Sequence, residues 1–309
     1  MNWIDHESYV ELYPPKEFNF EECLTFLNRS PLEIIYQIKE DTIYKLLKVR
    51  ETLILCKIDY NNNHNNPSIT IEFPIHIPSN QCRKEIAEYV WEWFDLDQDL
   101  KEFYLMANQD SILKPLSHKY YGLRIIGIPD LFEALVWAII GQQINLTFAY
   151  TLKKRFSEQF GESQLFEGET YWLFPTPKKV ASLQVDDLRE LQFTTRKAEY
   201  IINMANAMAN GELSKELLLQ QKDYQDIHKS LMKIRGVGAW TADYAIMKCL
   251  HYTNAFPIAD VGLHNALKNL LKLDRKPTIE EIEEYAIHWE GWQAYATFYL
   301  WRSLYDNNL

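Results

Sequence analysis

Beyond Pro129 the chain reads as one short helical period after another, each closed by glycine or proline, with no convincing strand among them. The segments run over about 130–141, 145–160, 177–182, 185–191, 195–210, 224–233, 239–251, 261–272, 278–287 and 292–305. Gly141, Gly161, Pro175, Pro177, Gly211, Gly236, Gly238, Pro257, Pro277 and Gly291 punctuate them. This predicts an all-α body of short helices. Only 10 Gly and 12 Pro in 309 residues agree with it, because a chain of short strands and tight turns needs more.

Ahead of that body, Thr42–Val49, Thr52–Ile58 and Ser68–Phe73 read as strands, rich in β-branched and aromatic residues with partial alternation. The Asn-rich stretch 61–67 between the last two is a solvent loop. FEECLTFL (20–27) and KEIAEYVWEWFDL (84–96) carry helical periodicity. The expectation is a small α+β domain, an antiparallel sheet plus helices, over 1–95, followed by the helical body over 96–309.

The longest apolar run, Ala134–Ile140, is far short of the ~20 residues that cross a bilayer. The first thirty residues show no signal-peptide pattern, so a cytoplasmic protein is expected. Cys23, Cys56, Cys82 and Cys249 lie far apart without CxxC or histidine at ligand spacing, which predicts reduced core thiols rather than a metal centre. The net charge of -11 argues against holding nucleic acid by bulk charge. That charge is uneven: residues 1–117 carry 11 basic and 20 acidic side chains, whereas 118–309 carry 21 and 23. The second part can approach a polyanion.

The stretch LMKIRGVGAWTADYAIMKCL (231–250) predicts a helix, a tight turn through Gly236-Val237-Gly238, and a second helix opening at Ala239. Glycine at both turn positions permits positive φ and close approach of a ligand to the backbone, and the second helix opens with unpaired amides. Such a terminus suits a phosphate, though a bare GxG also serves an ordinary αα-hairpin. Asp260 stands where the next helix needs its N-cap, and a capping role alone accounts for it. Trp289, Trp292, Tyr295, Tyr299, Trp301 and Tyr305 crowd the C-terminal stretch, and only some of them can line a pocket, since such stripes are usually core.

FEALVWAIIGQQI (132–144), FPTPKKVASL (174–183), LQFTTRKAEYIINMANA (191–207), IRGVGAWTADYA (234–245), FPIADVGL (256–263) and YAIHWEGWQAYATFYLW (285–301) follow one another in a known order and spacing. Together with FNFEECLTFLNRSP and WFDLDQD near the front, they closely resemble the DNA-3-methyladenine glycosylase II family of the helix-hairpin-helix glycosylase superfamily. The resemblance covers essentially the whole chain. It implies a small α+β domain on a two-lobed helical body with the active site between the lobes, which need not be contiguous in sequence.

The resemblance further implies excision of alkylated bases such as 3-methyladenine and 7-methylguanine from double-stranded DNA, leaving an abasic site, with no cofactor. A monomer is the default. Asp260 becomes the catalytic carboxylate; Trp240, Tyr244 and Trp292 match the aromatic pocket, and Phe26 adds a wall. Electron-rich rings attract the positively charged alkylated bases. The amides of Gly236, Val237 and Gly238 would grip a phosphate, and the carbonyls of Met232, Ile234 and Val237 would hold a monovalent structural cation. Gln142 and Gln143 match the region that probes the duplex and fills the gap left by a flipped base. Trp240 stands where superfamily lyases carry lysine, so a monofunctional glycosylase is expected. Gly291-Trp292-Gln293 departs from the family's Pro-Trp-Arg, and Val261 replaces an aromatic found in some relatives. Two other readings stay open: a non-catalytic sensor of alkylated DNA, which would not need Asp260, and a glycosylase for oxidised or deaminated bases.

Overall fold

The computed structural model describes residues 1–63 and 66–306; His64 and Asn65 of the Asn-rich loop lie outside the described residues. The strands are β1 Trp3–Asp5, β2 Tyr9–Leu12, β3 Tyr36–Lys39, β4 Thr42–Val49, β5 Thr52–Asn61, β6 Ser68–Glu72, β7 Ser163–Phe166 and β8 Glu169–Trp172. The helices are α1 Phe20–Leu27, α2 Asn80–Trp93, α3 Lys101–Ala107, α4 Leu113–Lys119, α5 Leu131–Gly141, α6 Leu146–Phe160, α7 Pro177–Ala181, α8 Val185–Glu190, α9 Thr195–Ala209, α10 Lys215–Leu219, α11 Tyr224–Met232, α12 Ala239–Cys249, α13 Val261–Leu270, α14 Ile279–Tyr285 and α15 Gln293–Ser303. They form two compact units, each built from three separated stretches. One holds Met1–Lys16, Ser30–Leu96 and Val136–Ser214; the other holds Glu17–Arg29, Asp97–Leu135 and Lys215–Leu309.

In the first unit six strands make an antiparallel sheet in the order β1-β2-β6-β5-β4-β3. Val10, Ile71, Ile58 and Ile43 pair in a row across four strands, and all four are fully buried. A one-residue slip would turn that row outward, so burial fixes the register. β4, β5 and β6 fall where the sequence places strands, whereas β1, β2 and β3 were not anticipated. The β3–β4 and β4–β5 turns explain one omission. Their central pairs, Glu40-Asp41 and Arg50-Glu51, all have positive φ between 48° and 68°, the geometry of two-residue hairpins, yet they lack the usual Asn-Gly or Asp-Gly signal. Helix α2 starts a turn earlier than predicted because the Ser79 side chain accepts from the Cys82 amide at 3.3 Å. It buries Ile86, Ala87 and Val90 completely.

The reading of everything beyond Pro129 as helical needs correction at one place. β7 and β8 form a hairpin around Glu167 and Gly168, both at positive φ. Tyr171 joins Leu46 and Leu55 in a small apolar cluster, and its hydroxyl accepts from Lys39 Nζ at 3.0 Å. An Glu-Gly turn between two short half-buried runs was the signal available. The remaining helices of this unit, α6 to α9, lie within a residue or two of their predicted spans.

The second unit is helical. Trp289, Tyr295, Phe298 and Tyr299 are fully buried at its centre, and the Trp289 indole donates to Asp110 Oδ2 at 2.9 Å. Buried Arg302 pairs with Glu22 of α1 at 2.7 Å and with Asp306 at 3.1 Å, tying both ends of this unit's chain together. The short helix α10 was not anticipated. All four cysteines are buried free thiols, and burial pushes those of Cys23 and Cys56 up to about 12. Among the described residues no helix is long and apolar enough to cross a membrane.

Candidate active site

Helices α11 and α12 of the second unit form the predicted hairpin. The turn closes with the Ile234 amide on Leu231 O and the Val237 amide on Ile234 O, both at 3.0 Å. Gly236 has φ +94°, where a side chain would be strained, as the sequence implied. Gly238 differs from that expectation: its φ is -92° in extended backbone, it is the N-cap of α12, and a Cβ there would meet no atom within 4 Å. Neither backbone conformation nor internal crowding requires glycine at 238. Val237 is buried, Met232 is exposed, and the N-cap Gly238 brings no side chain to the first amides of α12.

Asp260 caps α13, and its carboxylate does more than cap. Oδ1 accepts from the Leu263 amide at 2.8 Å and from the Trp301 indole at 2.7 Å, while Oδ2 accepts from the Trp240 indole at 3.1 Å. A carboxylate offers about four lone-pair sites, so three fixed donors hold its orientation and leave acceptor capacity on Oδ2. Gly262 makes room for this arrangement: a Cβ there would lie 2.9 Å from Asp260 Oδ1 and 3.1 Å from the Trp301 indole nitrogen.

Trp240 and Tyr244, one helical turn apart on α12, have ring centroids 5.6 Å apart, and Tyr244 lies 6.1 Å from Trp301. Three tilted rings thus run beside the carboxylate, with the outer two donating to it. Trp301 is the residue that sequence reasoning missed; it stood only among the crowded C-terminal aromatics. Trp292, named for the pocket, has its ring system against Phe103 and Tyr295, at 5.9 and 5.8 Å. Phe26 is buried against Phe298 at 4.4 Å and meets Tyr305 edge-on at 6.1 Å, with the Arg29 guanidinium 4.2 Å over its face. Burial raises the Tyr305 phenol, and the charges of Arg29 and Asp260 pull it in opposite directions, so Phe26 lies one ring away from a group that senses Asp260. Gln142 and Gln143 form the turn that follows α5 in the first unit; Gln143 is exposed and holds φ +59°.

By fold and site this is a helix-hairpin-helix protein with a donor-clamped carboxylate beside an aromatic row. A model described as HhH-GPD superfamily base excision DNA repair protein matches residues 136–292, and one for the 8-oxoguanine DNA glycosylase N-terminal domain matches 12–135. The chain belongs to the HhH-GPD superfamily of base excision DNA repair proteins. It is 46% identical to the DNA-3-methyladenine glycosylase of Bacillus subtilis, over 99% of this chain and 100% of that one. It shares its fold with the 3-methyladenine DNA glycosylase of Archaeoglobus fulgidus, at TM-score 0.80 and 23% identity over 96% of this chain and 98% of the other. The Clostridium acetobutylicum 8-oxoguanine glycosylase/lyase, solved with double-stranded DNA containing cytosine opposite 8-oxoG, superposes at TM-score 0.75 and 20% identity, covering 98% of this chain and 97% of its own.

Proposed function

We propose that the protein is a monofunctional DNA glycosylase that flips alkylated bases out of duplex DNA and hydrolyses their N-glycosidic bond. The carrying observation is Asp260, held by two indoles and an amide beside Trp240, Tyr244 and Trp301. A flipped base has to be unstacked at a cost of a few kcal/mol, and electron-rich rings repay a cationic base with ~0.5–2 kcal/mol each. Stacking of this kind selects for charge more than for one hydrogen-bond pattern, which favours a range of N-alkylated purines. As the base leaves, positive charge develops on the sugar, and a carboxylate fixed in advance stabilises it without reorganising. Oδ2, with one protein donor, is the oxygen with capacity for the sugar or the attacking water. The kinship with a DNA-3-methyladenine glycosylase of nearly the same length supports this substrate class.

Trp240 occupies the hairpin position at which lyases of the superfamily resemble one another in carrying lysine, so no Schiff base forms there and the product is an intact strand with an abasic site. The turn amides of Gly236, Val237 and Gly238 would take a phosphate. The carbonyls of Met232, Ile234 and Val237 are hard oxygen donors that fit a monovalent cation, which would add positive charge under that phosphate. Gln142 and Gln143 would probe the duplex from the first unit. A monomer suffices for this chemistry.

Incubating the protein with methylated duplex DNA tests the reading. Release of 3-methyladenine and 7-methylguanine is expected, with strand breaks only after hot alkali; breaks before alkali would overturn the monofunctional assignment. The match of residues 12–135 to an 8-oxoguanine glycosylase domain motivates a second substrate, a duplex with one 8-oxoguanine, from which no release is expected.

Gly238 offers a separate check on DNA contact. Aspartate is a better N-cap than glycine, and its Cβ has open space, so Gly238→Asp should melt at or above the wild-type temperature. A carboxylate at this phosphate-facing terminus should nevertheless weaken duplex binding by about tenfold or more, measured by fluorescence anisotropy. Unchanged binding would remove the hairpin from the DNA interface.

A further inference from the structure

Lys197 lies in the third position of α9, only 9% exposed, and its ammonium donates to the carbonyls of Ile140 and Gln142 at 2.7 Å each. Among the described residues these two carbonyls are its acceptors, and no carboxylate pairs with it. Burying an ammonium without a counter-ion is costly unless hydrogen bonds replace its water. Here the replacement comes from the C-terminal end of α5, where carbonyls lack helical partners and the dipole is negative. The next residue, Gln143, is exposed in the left-handed region at φ +59°, a conformation that a side-chain-bearing residue leaves readily unless its neighbours hold it. A glycine there would relieve the strain. The chain instead keeps a long polar side chain and spends a buried lysine on the turn.

We infer that Lys197 is a positioning residue: its two-carbonyl clamp fixes the Gly141–Gln143 turn so that Gln143 is presented ready-shaped to the gap in the duplex. This rests on the reading of the protein as a base-flipping glycosylase. In the free state the clamp keeps the left-handed turn populated, so that little ordering is left to do on binding. Its effect therefore belongs to engagement of the duplex, before bond cleavage, and it operates through Gln143.

The test compares full-length wild type, Lys197→Met, Lys197→Arg, Gln143→Ala and the Lys197→Met/Gln143→Ala double variant on a duplex carrying one 7-methylguanine. Lys197→Met should raise KM by about tenfold with kcat within about twofold, and Lys197→Arg should recover most of the loss, since a guanidinium can bond the same carbonyls. In the Gln143→Ala background the Lys197→Met change should cost less than about twofold, because the two side chains act as one unit. Equal KM for Lys197→Met and wild type, losses that multiply in the double variant, or a loss confined to kcat would each overturn the assignment. Melting curves accompany every variant, and if Lys197→Met does not fold, Lys197→Gln takes its place, with an amide able to reach at most one carbonyl. Wild type that releases no base from this duplex or from methylated DNA would refute the glycosylase reading instead.

Discussion

Asp260→Asn is expected to lower base release by on the order of a thousandfold or more, with melting temperature and affinity for an abasic duplex essentially unchanged. Asparagine caps a helix as well as aspartate does, so the start of α13 survives. Its carbonyl oxygen would take the Oδ1 place, where the Leu263 amide and the Trp301 indole donate. Its NH2 would then face the Trp240 indole N–H, donor against donor, in place of the Oδ2 contact. The variant thus loses the negative charge and one of three fixed bonds while keeping its shape. Chromatographic measurement of bases released from methylated duplex decides the point: wild-type release by this variant would mean that another carboxylate serves.

The second large effect falls on Trp301. Trp301→Phe keeps an aromatic ring near Tyr244 and removes the N–H that donates to Asp260 Oδ1 at 2.7 Å. Hydrogen bonds to charged groups contribute about 1.5–3 kcal/mol, so kcat under single-turnover conditions should fall roughly 10- to 100-fold, with KM altered far less. Trp292→Phe is the matched control. Its ring packs on Phe103 and Tyr295, so phenylalanine there should change kcat by less than about threefold. If the two variants exchange their effects, the substrate sits against Trp292, as the sequence reading expects.

The contrast between these two tryptophans shows where the sequence stops being informative. They lie nine residues apart in one aromatic run, and composition cannot say which indole turns toward Asp260; that depends on how α15 packs against α13, with Gly262 leaving the space between them. The hairpin was legible because glycine, helix period and helix start coincide within a few residues. Even there Gly236 needs its positive φ and Gly238 does not. The helices of the body were legible because their burial follows from spacing. The strands β1, β2 and β3 were not, since β1 and β2 are short and the Glu40-Asp41 turn lacks the Asn-Gly or Asp-Gly pair that ordinarily marks a two-residue hairpin. Nothing in the sequence singles out Lys197; only tertiary structure places its ammonium on the carbonyls of another helix's end.

The interleaving of the two units along the chain carries a consequence for birth at the ribosome. The first unit is complete once Ser214 has emerged, whereas Glu17–Arg29 belongs with stretches that run to the C-terminal end. At roughly 5–20 residues per second, α1 therefore waits for roughly 14 to 55 seconds while its partners Phe298 and Arg302 are still being translated. During that interval the apolar face of Phe20, Cys23, Leu24, Phe26 and Leu27 has no permanent cover. Nascent chains stalled between residues 214 and 298 should thus be the forms most readily captured by chaperones, and the final helix acts as the latch that ends their exposure.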